Sequence, residues 1–394
     1  MCRSKIVVSE YVSYGHPDKI ADQISDSILD AYLIKDKDAR VAVETMVKDN
    51  IVCLGGEVHS DSRVDVDCVV RNVYKDLNFP HNHGLSPDNI KVINLIGQQS
   101  PEIHNGVDVT FNDGSSVVNA GDQGFFVGFA TNETPAYLGL GHYISKCICS
   151  WINKQDGVYG PDAKSQTVVK YDNEGTAAIE SILVSTMHYM DVDQVRSIIE
   201  KSIQSNAGKM FDDETFRRYI DKKRIQIHVN PCGSWQTGGP VADCGVTGRK
   251  IVVDQYGGYA PVGGGAFSGK DYSKVDRSAA YMCRYLAKNI VAAGICNNAI
   301  VEMSYEIGCS EPSSLHISMD DNQHLSDNLA EVIRNNIDLT PSGIIKRFDG
   351  SFPRNYHLTK YGHYGCLSNE DAWIKKYYPW ELIDLKNAFS SKLY

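Results

Sequence analysis

The sequence contains no long hydrophobic run and no dense cysteine pattern, although it is 394 residues long. No stretch of about 18 apolar residues occurs, so we expect no membrane-spanning helix. The eleven cysteines are scattered without a Cys-x-x-Cys spacing, which excludes a zinc ribbon or a disulfide framework and favours reduced thiols. The apolar run Ile6–Val8 is too short for a signal peptide. These absences predict a cytoplasmic protein.

Positive charge is also scarce, with 39 Lys and Arg against 49 Asp and Glu and a net charge of −10. This balance argues against general binding of nucleic acid or of anionic membranes. Residues 245–288 are the exception, because they hold seven basic side chains against three acidic ones. A cationic island in an acidic protein indicates a site for a small, highly charged anion.

The sequence lacks the common motifs for a nucleophile or a catalytic zinc, such as Gly-x-Ser-x-Gly and His-Glu-x-x-His. It has instead a glycine-rich segment, in which Gly264–Lys270 matches the first part of a P-loop. Asp271 stands where that motif needs Ser or Thr, and Ser268 takes the place of the third glycine of a dinucleotide fingerprint. The glycine-rich segment is typical of phosphate binding, but it matches neither of the two common motifs. A plain surface loop is the alternative.

Length and periodicity indicate a chain of two or three domains that mix helices and strands. Alternation predicts a hairpin of Val41–Lys48 and Ile51–Val58 around the turn Asp49-Asn50. Further strands are predicted at Gln166–Tyr171, Ala178–Val184, Lys223–Val229 and Ile251–Val253, and helices at Ile20–Tyr32, Val192–Ile203 and Leu325–Ile333. A polar segment at 100–121 predicts a long loop or mobile lid, and turn-rich Asn230–Gly239 predicts a second junction.

The segment Gly15–Lys19 directly precedes the first predicted helix. Pro17 suits the first helical position, which places His16 near the cap and Asp18 and Lys19 in the first turn. A helix N-terminus attracts anions, and Asp18 could hold a divalent cation that bridges to phosphate oxygens. The alternative is a capped helix with an incidental histidine.

Two carboxylates of the predicted hairpin form a second candidate site. With Asp49-Asn50 as the loop, Glu44 faces Gly55 and Ala42 faces Glu57. Glu44 and Glu57 then share one face of the sheet as diagonal neighbours, where one could bind a cation and the other a substrate ammonium group. A solvated strand face is the alternative.

Five motifs together resemble S-adenosylmethionine synthetases, in order along nearly the whole chain. They are Ser13–Gln23 (SYGHPDKIADQ), Gly121–Gly124 (GDQG), Pro161–Gln166 (PDAKSQ), Gly238–Lys250 (GGPVADCGVTGRK) and Gly263–Asp271 (GGGAFSGKD). The resemblance implies an α+β fold of three similar domains with pseudo-threefold symmetry. We expect these domains at 1–102, 115–232 and 233–394, with 100–121 as the mobile active-site loop.

The resemblance also implies a reaction, the transfer of an adenosyl group to methionine. The methionine sulfur attacks C5′ of ATP, and the released triphosphate is split to pyrophosphate and phosphate. A thioether needs no general base, so alignment and charge stabilisation supply the catalysis. The family uses Mg²⁺, two per site, and K⁺, and forms homodimers with shared active sites that often pair into homotetramers. A kinase or ATPase on a related scaffold and a silent regulatory subunit are the competing hypotheses.

Site residues carry over from the family motifs by position in this sequence. The residues implied in catalysis are His16, Lys19, Lys164, Arg249, Lys250 and Lys270. Those implied in ATP binding are His16, Asp122, Asp162, Lys164, Ser234, Trp235, Asp243, Arg249, Lys250, Ala266 and Lys270. Those implied in methionine binding are Glu57, Gln99, Asp243 and Lys274, and the metal ligands are Asp18 and Asp276 for Mg²⁺ and Glu44 for K⁺.

Two positions depart from the family pattern. Trp235 stands where the family usually places a phenylalanine against adenine, and Trp stacks at least as well. Asn119 stands where a small glycine is common, which would stiffen the loop before it. Neither departure removes a charged residue.

Overall fold

The computed structural model describes residues 5–80, 83–99, 108–110, 116–155, 157–221, 223–320, 323–366 and 371–393. Its strands are β1 (Lys5–Val12), β2 (Arg40–Lys48), β3 (Ile51–His59), β4 (Lys91–Gln98), β5 (Asp108–Thr110), β6 (Ser116–Val118), β7 (Gly124–Thr131), β8 (Tyr159–Tyr171), β9 (Ala177–His188), β10 (Gln226–Val229), β11 (Gly245–Val246), β12 (Asn298–Tyr305) and β13 (Ser314–Met319). Its helices are α1 (Pro17–Lys35), α2 (Val66–Leu77), α3 (Leu140–Ile152), α4 (Val192–Ser205), α5 (Asp213–Thr215, continued by a π-helical turn Phe216–Ile220), α6 (Ile251–Asp254), α7 (Val275–Ala292), α8 (Gln323–Asn336), α9 (Pro341–Phe348), α10 (Asn355–Tyr361), α11 (Asp371–Tyr377) and α12 (Lys386–Leu393).

Three larger sheets each combine strands from distant parts of the sequence. Their strand orders are β1-β8-β9-β10, β11-β2-β3-β4 and β13-β12-β7, and β5 pairs with β6 in a separate ladder. In the first sheet β1 runs antiparallel to β8, and in the second the short strand β11 pairs with the edge of β2. Because these sheets pair strands from different expected domains, the domain boundaries at 102, 115 and 232 remain a prediction.

The second sheet contains the hairpin that the sequence predicts, in the predicted register. Lys48 faces Ile51, Glu44 faces Gly55 and Ala42 faces Glu57. Asp49 adopts a φ of 51°, as the tight turn between the two strands requires. Inward side chains of β2 and β3 are buried against α1, whose Ile20, Ile24 and Ile28 are fully buried. The outward face of the hairpin therefore carries both glutamates.

Several other predicted elements are confirmed with longer or shorter bounds. The three predicted helices lie in α1, α4 and α8, and the two predicted central strands lie within β8 and β9. Only Gln226–Val229 of the predicted strand at 223–229 is extended. Pro161–Lys164, expected before a strand, lies inside β8. Asn230–Gly239 contains no strand, in agreement with the predicted junction.

The strand expected at Ile251–Val253 is wrong, since these residues begin the single helical turn α6. Three consecutive apolar residues do not distinguish a buried strand from a buried helical turn. Most of the lid predicted at 100–121, namely residues 100–107 and 111–115, lies outside the described residues. In the described part of the chain, no helix is long and apolar enough to cross a membrane.

The long helix α7 organises the larger of two hydrophobic cores. It is buried along almost its whole length and packs on β7 and β12 of the third sheet. Inside this core the carboxylate of Glu381 pairs with Arg284 at 2.9 Å and with Lys288 at 2.7 Å. The smaller core lies between α1, α2 and the second sheet. The N-terminal ends of α1 and α7 are where the candidate site residues collect.

Candidate active site

The N-terminus of α1 presents a buried, neutral histidine. His16 is the N-cap, Pro17 follows at the first helical position, and the Asp18 backbone N–H donates to His16 Nδ1 at 3.1 Å. Burial, reinforced by Lys250 and Lys164, lowers the pKa of His16 to about 3. Because Nδ1 accepts a hydrogen bond, the neutral ring carries its proton on Nε2. His16 can therefore donate a hydrogen bond without carrying a charge.

Asp18 connects the helix to the turn that follows β11. The backbone N–H of Val246 donates to Asp18 Oδ1 at 3.0 Å, and Lys250 Nζ lies 2.5 Å from Asp18 Oδ2. Arg249 Nη1 lies 3.7 Å from the same carboxylate and is largely exposed. Burial by itself would raise the pKa of Asp18, but the hydrogen bonds from Lys250 and Val246 lower it. The result is an ionised carboxylate beside two cations.

Strand β8 adds a second acid and a further lysine on the same side. The backbone N–H of Gly239 donates to Asp162 Oδ2 at 2.8 Å, and Oδ1 has no hydrogen-bond partner among the described residues. Burial raises the pKa of Asp162 to about 7, while Lys164 opposes this and Asp243 adds to it. Asp162 is therefore poised between a charged form and a protonated form that can donate a hydrogen bond.

The junction after β10 borders this acid. Trp235 is half-buried, accepts at its carbonyl from the His188 backbone and donates its indole N–H to Thr237 at 2.6 Å. Ser234 and Asp243 are exposed on either side of it. We call His16, Asp18, Asp162, Lys164, Arg249 and Lys250 the helix cluster.

The glycine-rich segment lies along the edge of β2, beyond the point where β11 ends. Val43 donates to the carbonyl of Gly269 at 3.0 Å, and Asp271 donates to the carbonyl of Val41 at 3.1 Å. Lys270 is thereby paired with Ala42. Paired residues of neighbouring strands share a face, so Lys270 takes the outward face that also carries Glu44 and Glu57.

The outward face of the hairpin and Lys270 line one open cavity of about 530 Å³. Glu44, Glu57, Ala266 and Lys270, which we call the sheet cluster, contribute to its wall. Lys270 Nζ lies 2.5 Å from Asp276 Oδ2 in the first turn of α7. The cavity thus combines two acidic side chains, Glu44 and Glu57, with a lysine that is paired with a third acidic side chain, Asp276.

Two lysines differ from expectation. Lys19 is only 4% exposed, and its Nζ lies 2.7 Å from Asp254 and 3.1 Å from Asp22. It points into the protein rather than toward the phosphate site, because two buried carboxylates compensate its charge. Lys274, which the resemblance implies in methionine binding, is the residue directly before α7, and its ammonium group is already paired with Asp271.

Two expected binding residues belong to neither cluster, and one of them lies close to the sheet cluster. Asp122 is exposed, and its carboxylate accepts only from the adjacent Gln123 N–H among the described residues. Gln99 follows β4 and donates its backbone N–H to Val58 at 3.2 Å, one residue from Glu57. Its side-chain Oε1 is buried without a partner in the described part of the chain. Within one chain the structure therefore brings Gln99 near the sheet cluster but leaves Asp122 outside both clusters.

The candidate site residues named from the sequence did not include two further carboxylates on α1. Asp22 accepts from the Gly248 backbone at 2.9 Å, and Asp26 accepts from the Gly269 backbone at 2.8 Å. Both are fully buried. Asp18, Asp22 and Asp26 follow one another at intervals of four residues, which places them on the same helix face, and this signal was present in the sequence.

Metal ions would need substrate oxygens to complete their coordination here. Among the described ranges, no three His, Cys, Asp or Glu side chains gather as a ready-made metal cage. Asp18 and Asp276 each present one carboxylate to a lysine, which shows that a cation is accommodated beside each of them. Mg²⁺ commonly binds through one or two carboxylates plus substrate phosphates and water, so the donors fit that ion.

Three family models match successive parts of the chain. The S-adenosylmethionine synthetase N-terminal domain matches residues 4–101, the central domain 117–235 and the C-terminal domain 237–380. A protein named S-adenosylmethionine synthase from Brachyspira hyodysenteriae is 39% identical over 395 residues, which cover 97% of each chain.

A solved structure supports the same likeness at the level of the fold. It is described as that of an unusual S-adenosylmethionine synthetase from Campylobacter jejuni. It matches with a TM-score of 0.85 at 33% identity and covers 99% of this chain and 100% of that one. These matches confirm the α+β fold of three domains expected from the sequence.

Proposed function

The chain belongs to the S-adenosylmethionine synthetase family, and on that premise we propose how its residues make S-adenosylmethionine from ATP and L-methionine. The sulfur attacks C5′ of ATP, its lone pair forms the new S–C bond, and the C5′–O bond breaks with its electrons going to the triphosphate. The triphosphate is then cleaved by water to pyrophosphate and phosphate. The observation that carries the proposal is the combination of a helix cluster that holds fixed cations and a neutral histidine with an open cavity lined by Glu44, Glu57 and Lys270.

The helix cluster would bind the polyphosphate and stabilise the leaving oxygen. His16 Nε2–H donates a hydrogen bond toward the charge that develops there, while Lys164, Arg249 and Lys250 neutralise the phosphates. Preorganised donors of this kind contribute about 2.7–4 kcal/mol each when they face developing charge in a closed site. Lys19 supports the turn of α1 from behind, because its ammonium group is already paired.

The sheet cluster would bind methionine and the far end of the triphosphate. Glu57 is exposed in the cavity and suits the substrate ammonium group, with Gln99 nearby. Lys270 lies beside Ala266 on the cavity wall and suits a phosphate. Asp243 and Lys274 are further candidates for methionine binding. Orientation of two bound reactants can supply about 7–11 kcal/mol of the barrier reduction.

Adenosine would occupy the surface between Asp162 and Trp235. The half-buried indole offers a stacking face, and the Asp162 carboxyl offers a donor or an acceptor to the base or ribose. Ser234 and, from the second protomer of the dimer proposed below, Asp122 complete the proposed contacts.

The metal ions would join protein carboxylates to substrate oxygens. We assign Asp18 and Asp276 to two Mg²⁺ ions and Glu44 to K⁺, since each offers carboxylate oxygen to a hard cation. When bound, Mg²⁺ neutralises negative charge on the triphosphate and so favours its departure.

The outward face of the second sheet supports assembly into a homodimer. Besides the two glutamates it exposes Leu95 (69%), Ile93 (46%) and Met46 (41%), which border the cavity or lie beside it. A contiguous apolar face of this kind on a sheet indicates a protein interface. We propose that two protomers pair through it, so that the helix cluster of one completes the sheet cluster of the other, and that such dimers can associate into tetramers.

Incubation of the purified protein with ATP and methionine tests the reaction. We expect a sulfonium product together with pyrophosphate and phosphate, dependent on Mg²⁺ and stimulated by K⁺. Omission of methionine is the control. Formation of ADP as the main nucleotide product, or consumption of ATP without a sulfonium product, would overturn the proposal.

A further inference from the structure

One face of α1 carries a ladder of carboxylates at four-residue intervals, Asp18, Asp22, Asp26 and Asp30. Each accepts a hydrogen bond from a distant backbone N–H group, at Val246 and Gly248 in one segment, at Gly269 in a second and at Asn355 in a third. Four residues of α-helix advance about 6 Å, so the ladder holds these segments at regular spacing. The helix thus serves as a common support for chain segments that lie more than 200 residues away.

The second and third members of the ladder hold the segments that carry the proposed phosphate-binding cations. Asp22 accepts from Gly248, the residue directly before Arg249 and Lys250. Asp26 accepts from Gly269, the residue directly before Lys270. Both carboxylates are fully buried and cannot touch substrate themselves.

The two glycines show that their segments are shaped at these contacts. Gly248 has a φ of 77° and Gly269 a φ of 81°, a region that L side chains rarely adopt. A Cβ at Gly269 would lie 1.9 Å from the Val43 carbonyl, and one at Gly248 would lie 2.6 Å from Ala266 Cβ. The backbone therefore turns tightly where each aspartate holds it, one residue before Lys270 and two residues before Lys250.

Each carboxylate is itself fixed by a buried cation. Arg277 binds Asp26 through both terminal nitrogens, at 2.7 Å and 2.9 Å, and also donates to the Lys270 carbonyl at 3.1 Å. Lys19 holds Asp22 by a single contact, Nζ to Oδ2 at 3.1 Å, whereas the contact of Arg277 with Asp26 is bidentate. Bidentate pairing of this kind defines the position of the acceptor oxygen as well as its charge.

From these contacts we infer that Asp22 and Asp26 are positioning residues, which set the places of Lys250 and Lys270 through the Gly248 and Gly269 N–H groups. The inference rests on the proposed function, because it requires both lysines to act on the triphosphate. Asp30 belongs to the same ladder but holds Asn355 and Tyr356 at the start of α10, outside both clusters. It therefore provides a matched control within the same helix.

The main test compares Asp26→Glu with Asp30→Glu, each made alone and in a Lys270→Ala background. Both substitutions keep the charge and displace the acceptor oxygen by one methylene. We expect Asp26→Glu to lower kcat by about 10- to 100-fold, since a displacement of about 1 Å can cost that much, while Asp30→Glu leaves kcat near wild type. In the Lys270→Ala background, Asp26→Glu should cause little further loss, because the side chain it positions is already absent.

A second pair of variants keeps the inference testable where Asp26→Glu does not fold. Asp22→Asn retains an acceptor oxygen for Gly248, whereas Asp22→Ala removes it. We expect the asparagine variant to keep most of the wild-type kcat and the alanine variant to lose it, with this difference absent in a Lys250→Ala background. Thermal melting of every variant reports stability separately from kcat.

Either of two results would overturn the inference while the wild-type enzyme makes S-adenosylmethionine. One is a loss of kcat by Asp26→Glu that multiplies fully with the loss caused by Lys270→Ala. The other is an equal loss for Asp30→Glu. Failure of the wild-type protein to form the sulfonium product would instead refute the proposed function.

Discussion

Replacing Lys270 by alanine removes the ammonium group at the edge of the cavity that also contains Glu44 and Glu57. This lysine pairs with Asp276 at 2.5 Å, and both side chains keep about a fifth of their surface exposed. Exposed or partly exposed ion pairs typically contribute about 0–1 kcal/mol to stability. The free energy of unfolding should therefore change little.

The same substitution should have a much larger effect on the reaction. The triphosphate leaves with several negative charges. The backbone bridge between Lys270 and Ala42 holds the lysine at a fixed place on the cavity wall. Removing one preorganised donor of this kind costs about 2.7–4 kcal/mol in the transition state, which corresponds to a loss of about 100- to 1000-fold in kcat. We expect the loss in sulfonium formation, because Lys270 acts on the leaving group.

The assay measures the sulfonium product by chromatography, with phosphate and pyrophosphate measured in parallel. Lys170→Ala is a suitable control, since Lys170 also forms an ion pair at a partly exposed strand position, 3.8 Å from Glu180. That variant should retain wild-type activity and melting temperature. Near-normal activity of Lys270→Ala, with the fold intact, would refute the role assigned to this lysine.

Three further predictions concern methionine binding, assembly and pH. Glu57→Gln should raise the KM for methionine at least tenfold and leave the KM for ATP nearly unchanged, because Glu57 faces the proposed ammonium site. Steady-state kinetics measure both constants, and equal effects on the two substrates would contradict the assignment. Leu95→Asp should shift the protein toward monomers in sedimentation and lower activity in proportion, since Leu95 is the most exposed apolar side chain of the proposed dimer face; an unchanged molar mass would count against that face. The pKa of Asp162 is raised by burial to about 7, so its proton stabilises the folded state at low pH, and this contribution is lost as pH rises from about 4 to about 7. The unfolding free energies of Asp162→Asn and wild type are compared by denaturant titration without substrate. As pH rises across that range, the variant should become more stable relative to wild type. A difference independent of pH would show that Asp162 titrates normally.

The hairpin shows how far the sequence could predict the candidate site. Alternation and the Asp49-Asn50 turn were enough to fix the register that puts Glu44 and Glu57 on one face. The position of Pro17 likewise predicted the start of α1 and the capping role of His16. Both predictions succeed because they depend on local geometry, namely the two-residue period of a strand and the fixed φ of proline.

The features that the sequence did not predict depended on contacts between distant segments. Lys19 lies next to Asp18 in the sequence, but Asp254 supplies a buried counter-charge that turns its side chain inward. Ile251–Val253 satisfies a strand pattern, yet the chain after Lys250 turns into α6 and places Asp254 beneath Lys19. Asp22 lies only three residues from Lys19, but nothing near Lys19 in the sequence reports Asp254, and nothing near Asp254 reports Lys19.

The sequence by itself determined the motifs, the α+β character, the hairpin register and the capped helix, because propensity and periodicity act over a few residues. It also contained the ladder of carboxylates on α1, but not the backbone groups that they bind. Only the tertiary structure decided that Lys250 and Lys270 face outward while Lys19 faces inward. The physical reason is that a buried charge is stable only beside its partner, and Asp254, which compensates the buried Lys19, lies 235 residues away in the sequence.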